Sequence, residues 1–188
     1  MNLPLTVSSL ILVTLTCLFT CRTVPPVTAS PGPEQRGDWR LYTPPDKSFS
    51  VELPCDPARR NVSATPTPIY EYGCERAEAS GLTFFSVSVL NMLDAERARM
   101  RDESAFEGSV RDSFTPNHRL VRLTLLKIEG GFGREVVSIN TEDEMDNLRG
   151  RVIIFGGRRY EVGYLATDVK ALESRTAERF LASFKPLR

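Results

Sequence analysis

Gly156-Gly157 constrains this chain more than any other two residues, because the runs on either side, Arg149–Phe155 and Arg158–Tyr164, are both rich in β-formers. A two-residue Gly-Gly loop joins antiparallel strands through a turn whose two central positions need φ > 0, which glycine adopts without steric cost. The turn then fixes the register: Phe155 faces Arg158, Ile153 faces Tyr160, Arg151 faces Val162 and Arg149 faces Tyr164. One face of this hairpin carries Ile153, Phe155, Tyr160, Val162 and Tyr164, with arginines towards its ends. The other carries Val152, Ile154 and Leu165. A hairpin that is apolar on both faces requires cover on both.

The rest of the chain supplies candidates for that cover. Trp39–Tyr42 is a short aromatic strand stopped by Pro44-Pro45, and Phe49–Leu53 alternates apolar and polar as a half-buried strand does. Arg59–Thr67 is limited by Pro66 and Pro68 to an edge strand or loop. Ile69–Ala79 and Leu82–Met92 form a second hairpin around Ser80-Gly81, with Phe85, Val87 and Val89 on one face and Phe84, Ser86, Ser88 and Leu90 on the other. The period changes in Leu93–Phe114, where Phe106, Val110 and Phe114 form one helical stripe. Its charged beginning, Asp94–Arg101, reads as a loop before a helix that starts near Asp102.

Leu120–Ile128 and Arg134–Asn140 are strands turned by Gly130-Gly131-Phe132-Gly133, and Thr141–Asn147 is an acidic loop. Ser174 is a good N-cap for a final helix, with Ala177, Phe180, Leu181 and Phe184 at i, i+3, i+4, i+7 and Pro186 barring continuation. The sum is an α+β domain: six to eight antiparallel strands with two helices packed on the faces of the sheet.

Ahead of it, the first 21 residues carry no charge and Leu10–Phe19 is densely apolar, as in the h-region of an export signal. Val27-Thr28-Ala29 places small residues for cleavage before Ser30. Two alternatives stand beside cleavage: lipidation of Cys21 in Leu18-Phe19-Thr20-Cys21, and retention as a membrane anchor. All three put the domain outside the cytoplasm, in the periplasm or beyond, and the last two bring membrane association through the N-terminus. The division is therefore an export segment at 1–29, a Pro/Gly-rich tether at 30–38 and a single domain at 39–188.

Cys55 and Cys74 are an even pair in an oxidising compartment, so a structural disulfide is expected. It would close a loop of about 20 residues, worth roughly 3 kcal/mol in the chain-entropy model. The alternative is two unrelated buried thiols.

Three short motifs, namely Trp39-Arg-Leu-Tyr, Phe49-Ser-Val-Glu-Leu-Pro54 and Arg-Phe180-Leu-Ala-Ser-Phe184-Lys, resemble the ends of small exported bacterial domains with the PsbP-like fold. PsbP is an extrinsic photosystem II subunit, and a Ran-binding nuclear import factor shares the architecture. The resemblance spans most of Trp39–Lys185 and implies an antiparallel sheet between helices. It brings no catalytic signature, and the cysteine pair is not part of its pattern.

Composition closes several other avenues. Without the first 29 residues the chain has 23 basic against 24 acidic side chains, which gives no support for nucleic-acid binding. One histidine, and no second cysteine pair at finger spacing, offers no metal site, and no motif implies a cofactor. The glycines at 130–133 are followed by a strand-like run, not by the helix that a phosphate loop needs.

His118 is the one conventional general base near neutral pH, and either Ser104 or Ser138 would have to reach it in space to make a nucleophilic pair. Arg134, Arg149, Arg151, Arg158 and Arg159, with Tyr164 within cation–π reach of Arg149, are the binding candidates. Arg158 and Arg159 at the hairpin tip would meet an anionic head group or an acidic partner. The plainer reading is that these arginines neutralise Glu142, Asp143, Glu144 and Asp146 and guard a strand edge. Asn61-Val62-Ser63 matches a glycosylation sequon, meaningful only in a eukaryotic secretory pathway. The expectation is thus a non-catalytic binding or scaffolding domain of the cell envelope with a protein partner. The alternatives are a small envelope hydrolase or ligand-binding enzyme using His118 or the arginines, and a lipoprotein anchored at Cys21.

Overall fold

The computed structural model describes residues 39–62, 67–78, 81–100, 102–114, 117–142 and 146–187. The expectations for the export segment, the tether and Cys21 lie outside these residues, as does Ser63 of the sequon.

The strands in chain order are β1 (Arg40–Tyr42), β2 (Phe49–Leu53), β3 (Ala58–Asn61), β4 (Ile69–Glu78), β5 (Gly81–Asn91), β6 (His118–Leu125), β7 (Gly131–Asn140), β8 (Asn147–Phe155), β9 (Arg158–Ala166) and β10 (Lys185–Pro186). The helices are α1 (Asp94–Arg99), α2 (Glu103–Asp112) and α3 (Arg175–Ser183), with a 3₁₀ helix at Val169–Glu173. Seven strands form one sheet in the order β3-β4-β5-β9-β8-β7-β6, antiparallel at every pairing. A second, three-stranded sheet has the order β1-β2-β10. The α+β class stands, with seven strands in the main layer.

The Gly156-Gly157 hairpin, β8–β9, lies at the middle of the large sheet. Gly156 and Gly157 have φ of 59° and 76°, and all four expected cross-strand pairs are present. On one face, α3 and the small sheet close a core in which Phe49, Phe85, Tyr160, Tyr164, Phe180 and Leu181 have no exposed surface. Phe180 meets Phe85 edge to face, ring centres 5.3 Å apart, and Phe184 lies 5.7 Å from Phe49 and 5.6 Å from Tyr160. Each such ring contributes about 1.5–3 kcal/mol by burial. The Ser174 side chain caps α3 by accepting from the Ala177 amide at 3.1 Å. The stripe read from the sequence therefore faces inward.

The opposite face is covered by α2, whose N-cap Asp102 accepts from the Ala105 amide at 2.9 Å. Phe106 and Val110, one turn apart, pack on Val136 and Val152. The helix begins where the sequence places it, but the preceding charged stretch is not a loop. It forms α1, held by Glu96 accepting from the Leu93 amide at 2.8 Å and by an Asp94–Arg97 pair at 2.8 Å. Good helix formers with one i,i+3 pair suffice for a short helix that buries nothing.

The glycine-rich turn is also narrower than read. Only Gly130 takes the left-handed conformation, at φ 76°, and β7 already begins at Gly131. Cys55 and Cys74 are bonded, with Cα atoms 6.0 Å apart. The bond ties the chain leaving β2 to the middle of β4, and so joins the small sheet to the large one. Among the described residues, no helix is long and apolar enough to cross a membrane.

Candidate functional site

The site follows from the register of four central strands on the α2 side of the large sheet. Three rows of side chains cross β5, β9, β8 and their neighbours. The upper row is Glu71, Ser88, Glu161 and Val152; the middle row is Ser86, Gly163, Gly150 and Val136; the lower row is Phe84, Leu165, Leu148 and Ser138. The middle row is nearly without side chains, so it forms a valley between an acidic row and an apolar one. Its floor is tight. A Cβ at Gly163 would stand 2.9 Å from the Ser86 hydroxyl oxygen, and one at Gly150 would stand 2.7 Å from the Val162 carbonyl oxygen.

The valley opens as a groove of about 370 Å³ whose walls include Glu161, Leu165, Phe114 and His118. Beside it lies a hollow of about 330 Å³ that shares Glu71 and Leu165 and adds Glu75 and Asp146. Helix α2 covers the β7–β8 end of this face and stops short of the groove. Carboxylates dominate its rim. Arg159 is held by Glu161 at 2.8 Å and reaches Ser109 on α2 at 3.3 Å, and Arg60 stands opposite Glu71 in register.

His118 and Ser138 are brought together, with Nδ1 3.3 Å from Oγ. Ser138 is fully buried, however, so its hydroxyl cannot meet a substrate carbonyl. Ser104 is on the exposed side of α2, beside Glu103, Glu107 and Arg111. Neither arrangement provides an accessible nucleophile next to the histidine.

The five arginines do not form one cluster. Arg149 is 7% exposed and donates to Glu135 at 2.8 Å, to Glu178 at 2.6 Å and to the Leu172 carbonyl at 3.3 Å. Arg151 shares Glu135 at 3.3 Å and donates to the Leu181 carbonyl at 2.6 Å, tying the last turn of α3 to β8. Arg134 points to the opposite face, where it is buried against Glu107 at 3.1 Å and Glu103 at 3.0 Å of α2. Arg158 and Arg159 diverge, since successive strand residues point to opposite faces. Arg158 reaches Asn91 at 3.2 Å and Asp46 at 3.9 Å on the α3 side. Among the described residues the arginines thus pair with Glu103, Glu107, Glu135, Glu161, Glu173, Glu178 and Asp46; Asp143 and Glu144 of the acidic loop lie outside those residues.

Tyr164 is fully buried beneath α3, opposite Arg149 in register, but carboxylates draw that guanidinium instead of the ring. Burial pushes the Tyr164 hydroxyl above its ordinary pKa, and the adjacent Ser174 hydroxyl offsets this only in part. For Glu135 burial pushes the pKa up, but the Arg149 and Arg151 guanidiniums outweigh it and hold the carboxyl below its usual 4.5. Glu107 is also lowered, by hydrogen bonds from Arg111 and then Arg134.

Sequence reasoning named Phe84, Ser86 and Ser88 as one face of a strand but not as part of a groove. The signal that finds the groove is the alignment of Ser86, Gly163 and Gly150, which needs the β5–β9 pairing, and those strands are separated by more than 65 residues of chain.

Comparison with protein-family models and with curated proteins finds no match. Among solved structures, the chain is similar in fold to the solution structure of cyanobacterial PsbP (CyanoP) from Synechocystis sp. PCC 6803, with 12% sequence identity, a TM-score of 0.45, and 85% of this chain and 99% of that chain covered.

Proposed function

We propose that this chain is an exported, non-catalytic domain of the cell envelope that binds or scaffolds a protein partner. The observation that carries the reading is the half-covered sheet face, where a groove of about 370 Å³ lies open beside α2. A sheet buries its faces against another layer, and the half of this face that no described residue covers suits a second protein. The buried Ser138 beside His118 weighs against nucleophilic catalysis. The Cys55–Cys74 bond and the uncharged, apolar N-terminal run support export.

The test is a pull-down from native envelope with the domain 39–188 as bait, run beside a hydrolase screen. The reading expects a discrete, saturable partner. It fails if no partner is retained while a hydrolytic activity appears that His118→Ala abolishes. The intact mass of the exported protein separates its three forms: Ser30 as the first residue, a lipid added at Cys21, or the N-terminal segment retained as an anchor.

A further inference from the structure

We propose that the open half of the α2 face receives an amphipathic helix of the partner protein, with lysines or arginines along one side and large aliphatic residues along the other. This rests on the partner-binding reading above and adds the chemistry of the occupant.

Three observations point to it. First, the groove has unlike walls: Glu71 and Glu161 on one side, Phe84, Leu165 and Leu148 on the other. Glu75 and Asp146 in the adjoining hollow, which Arg60 also lines, extend the negative rim. Arg159 meets Glu161 and Arg60 stands opposite Glu71, but the carboxylates remain in excess, so an occupant basic on one flank and apolar on the other suits both walls.

Second, the dimensions suit a helix. Glu161 and Leu165 lie four residues apart on β9, which sets the walls about 13 Å apart at the usual rise per strand residue. A helix with its side chains is about 10–12 Å across, whereas a single extended strand would leave the valley underfilled. The four strands from β4 to β8 span about 14 Å, the length of roughly 10 helical residues.

Third, the same face already accepts a helix at its other end. There, α2 seats Phe106 and Val110 on Val136 and Val152 and sets Glu103 and Glu107 against Arg134. The incoming helix would lie beside α2 with the charges reversed, cationic against the anionic sheet.

The experiment places a photo-reactive residue at Ser113 or at Leu82, which border the groove and the hollow, and at Val121 on the far β6 edge as control. The full-length protein is irradiated in its native envelope, and the cross-linked segment is sequenced by mass spectrometry. The expected result is an adduct from Ser113 or Leu82 to a segment with helical apolar periodicity flanked by lysine or arginine. Glu71→Lys with Glu161→Lys should then cut its yield by about tenfold, as loss and reversal of two interfacial charges implies. Either variant alone serves if the pair melts early.

An acidic segment, an extended strand, a lipid or a second copy of this chain at Ser113 or Leu82 overturns the proposal. So does an unchanged yield in folded charge-reversed protein. Adducts confined to Val121, with the partner still retained by the bait, end the helix proposal and leave partner binding standing. No adduct anywhere and no retained partner ends both.

Discussion

The two faces of the seven-stranded sheet are built from the same strands yet are finished differently. Towards α3 and the small sheet, alternate residues are Phe85, Val87, Tyr160, Val162 and Tyr164, all with 0–1% exposure. Two cations on that side, Arg149 and Arg151, are also largely enclosed and share Glu135 beneath α3. Towards α2, the intervening residues are Ser86, Ser88, Glu161, Gly163 and Leu165, and among the described residues only one end is roofed. The contrast teaches that burial is divided unequally between the two faces. The α3 side carries the larger core, and the α2 side, whose smaller core lies under Phe106 and Val110, keeps acids and gaps beyond it.

That division makes a graded set of expectations. Phe180→Ala should cost most, about 4 kcal/mol, because it leaves a cavity against Phe85 that the surrounding rings cannot fill; chemical denaturation reads it directly. Replacing both Cys55 and Cys74 with Ser should cost about 3 kcal/mol and release the link between the two sheets. If the loss is much smaller, the small sheet is held by its aromatic contacts alone.

Glu135→Gln should cost about 2 kcal/mol, since two guanidiniums lose a shared carboxylate in a poorly solvated place. It should also change the acid limb of the stability curve. The folded pKa of Glu135 lies below 4.5, so its stabilisation is complete above that value and is lost as pH falls through the folded pKa. The Gln variant should therefore lose less stability than the parent on acidification. A variant as acid-sensitive as the parent would remove Glu135 from the explanation.

On the other face Leu165→Ala should cost only about 1 kcal/mol and Ser88→Ala less than about 0.5 kcal/mol. A large loss at either would show that the open face contributes to the core after all.

Much of the covered face was legible in the sequence. Gly156-Gly157 determines every pairing of β8 with β9, the alternation in Phe49–Leu53 marks its buried side, and Ser174 with the Phe180 stripe places α3. These are local signals, in which a turn type or a period suffices. The arginines show where local reading ends. The partners of Arg134 and Arg149 lie 14 to 31 residues away in Glu135, Glu178, Glu107 and Glu103, beyond what proximity along the chain suggests. Strand alternation, applied to Arg158 and Arg159, would have shown that neighbours in sequence face opposite sides of the sheet. The groove was hidden for the same reason. A gap made by Gly150, Gly163 and Ser86 exists only once three strands are in register. The 3₁₀ helix at Val169–Glu173 and the two-residue β10 are too short for periodicity to reveal.

The account depends most on one face being sealed and the other half open, and solvent contact in solution measures this directly. Methyl resonances of the isolated domain, recorded with a soluble paramagnetic agent, should broaden strongly for Leu82 and measurably for Leu165 and Leu148. Those of Val87, Val162 and Leu181, at 0–1% exposure, should be spared. Equal protection of both sets, or broadening of Leu181 and Val162 ahead of Leu165, would contradict it.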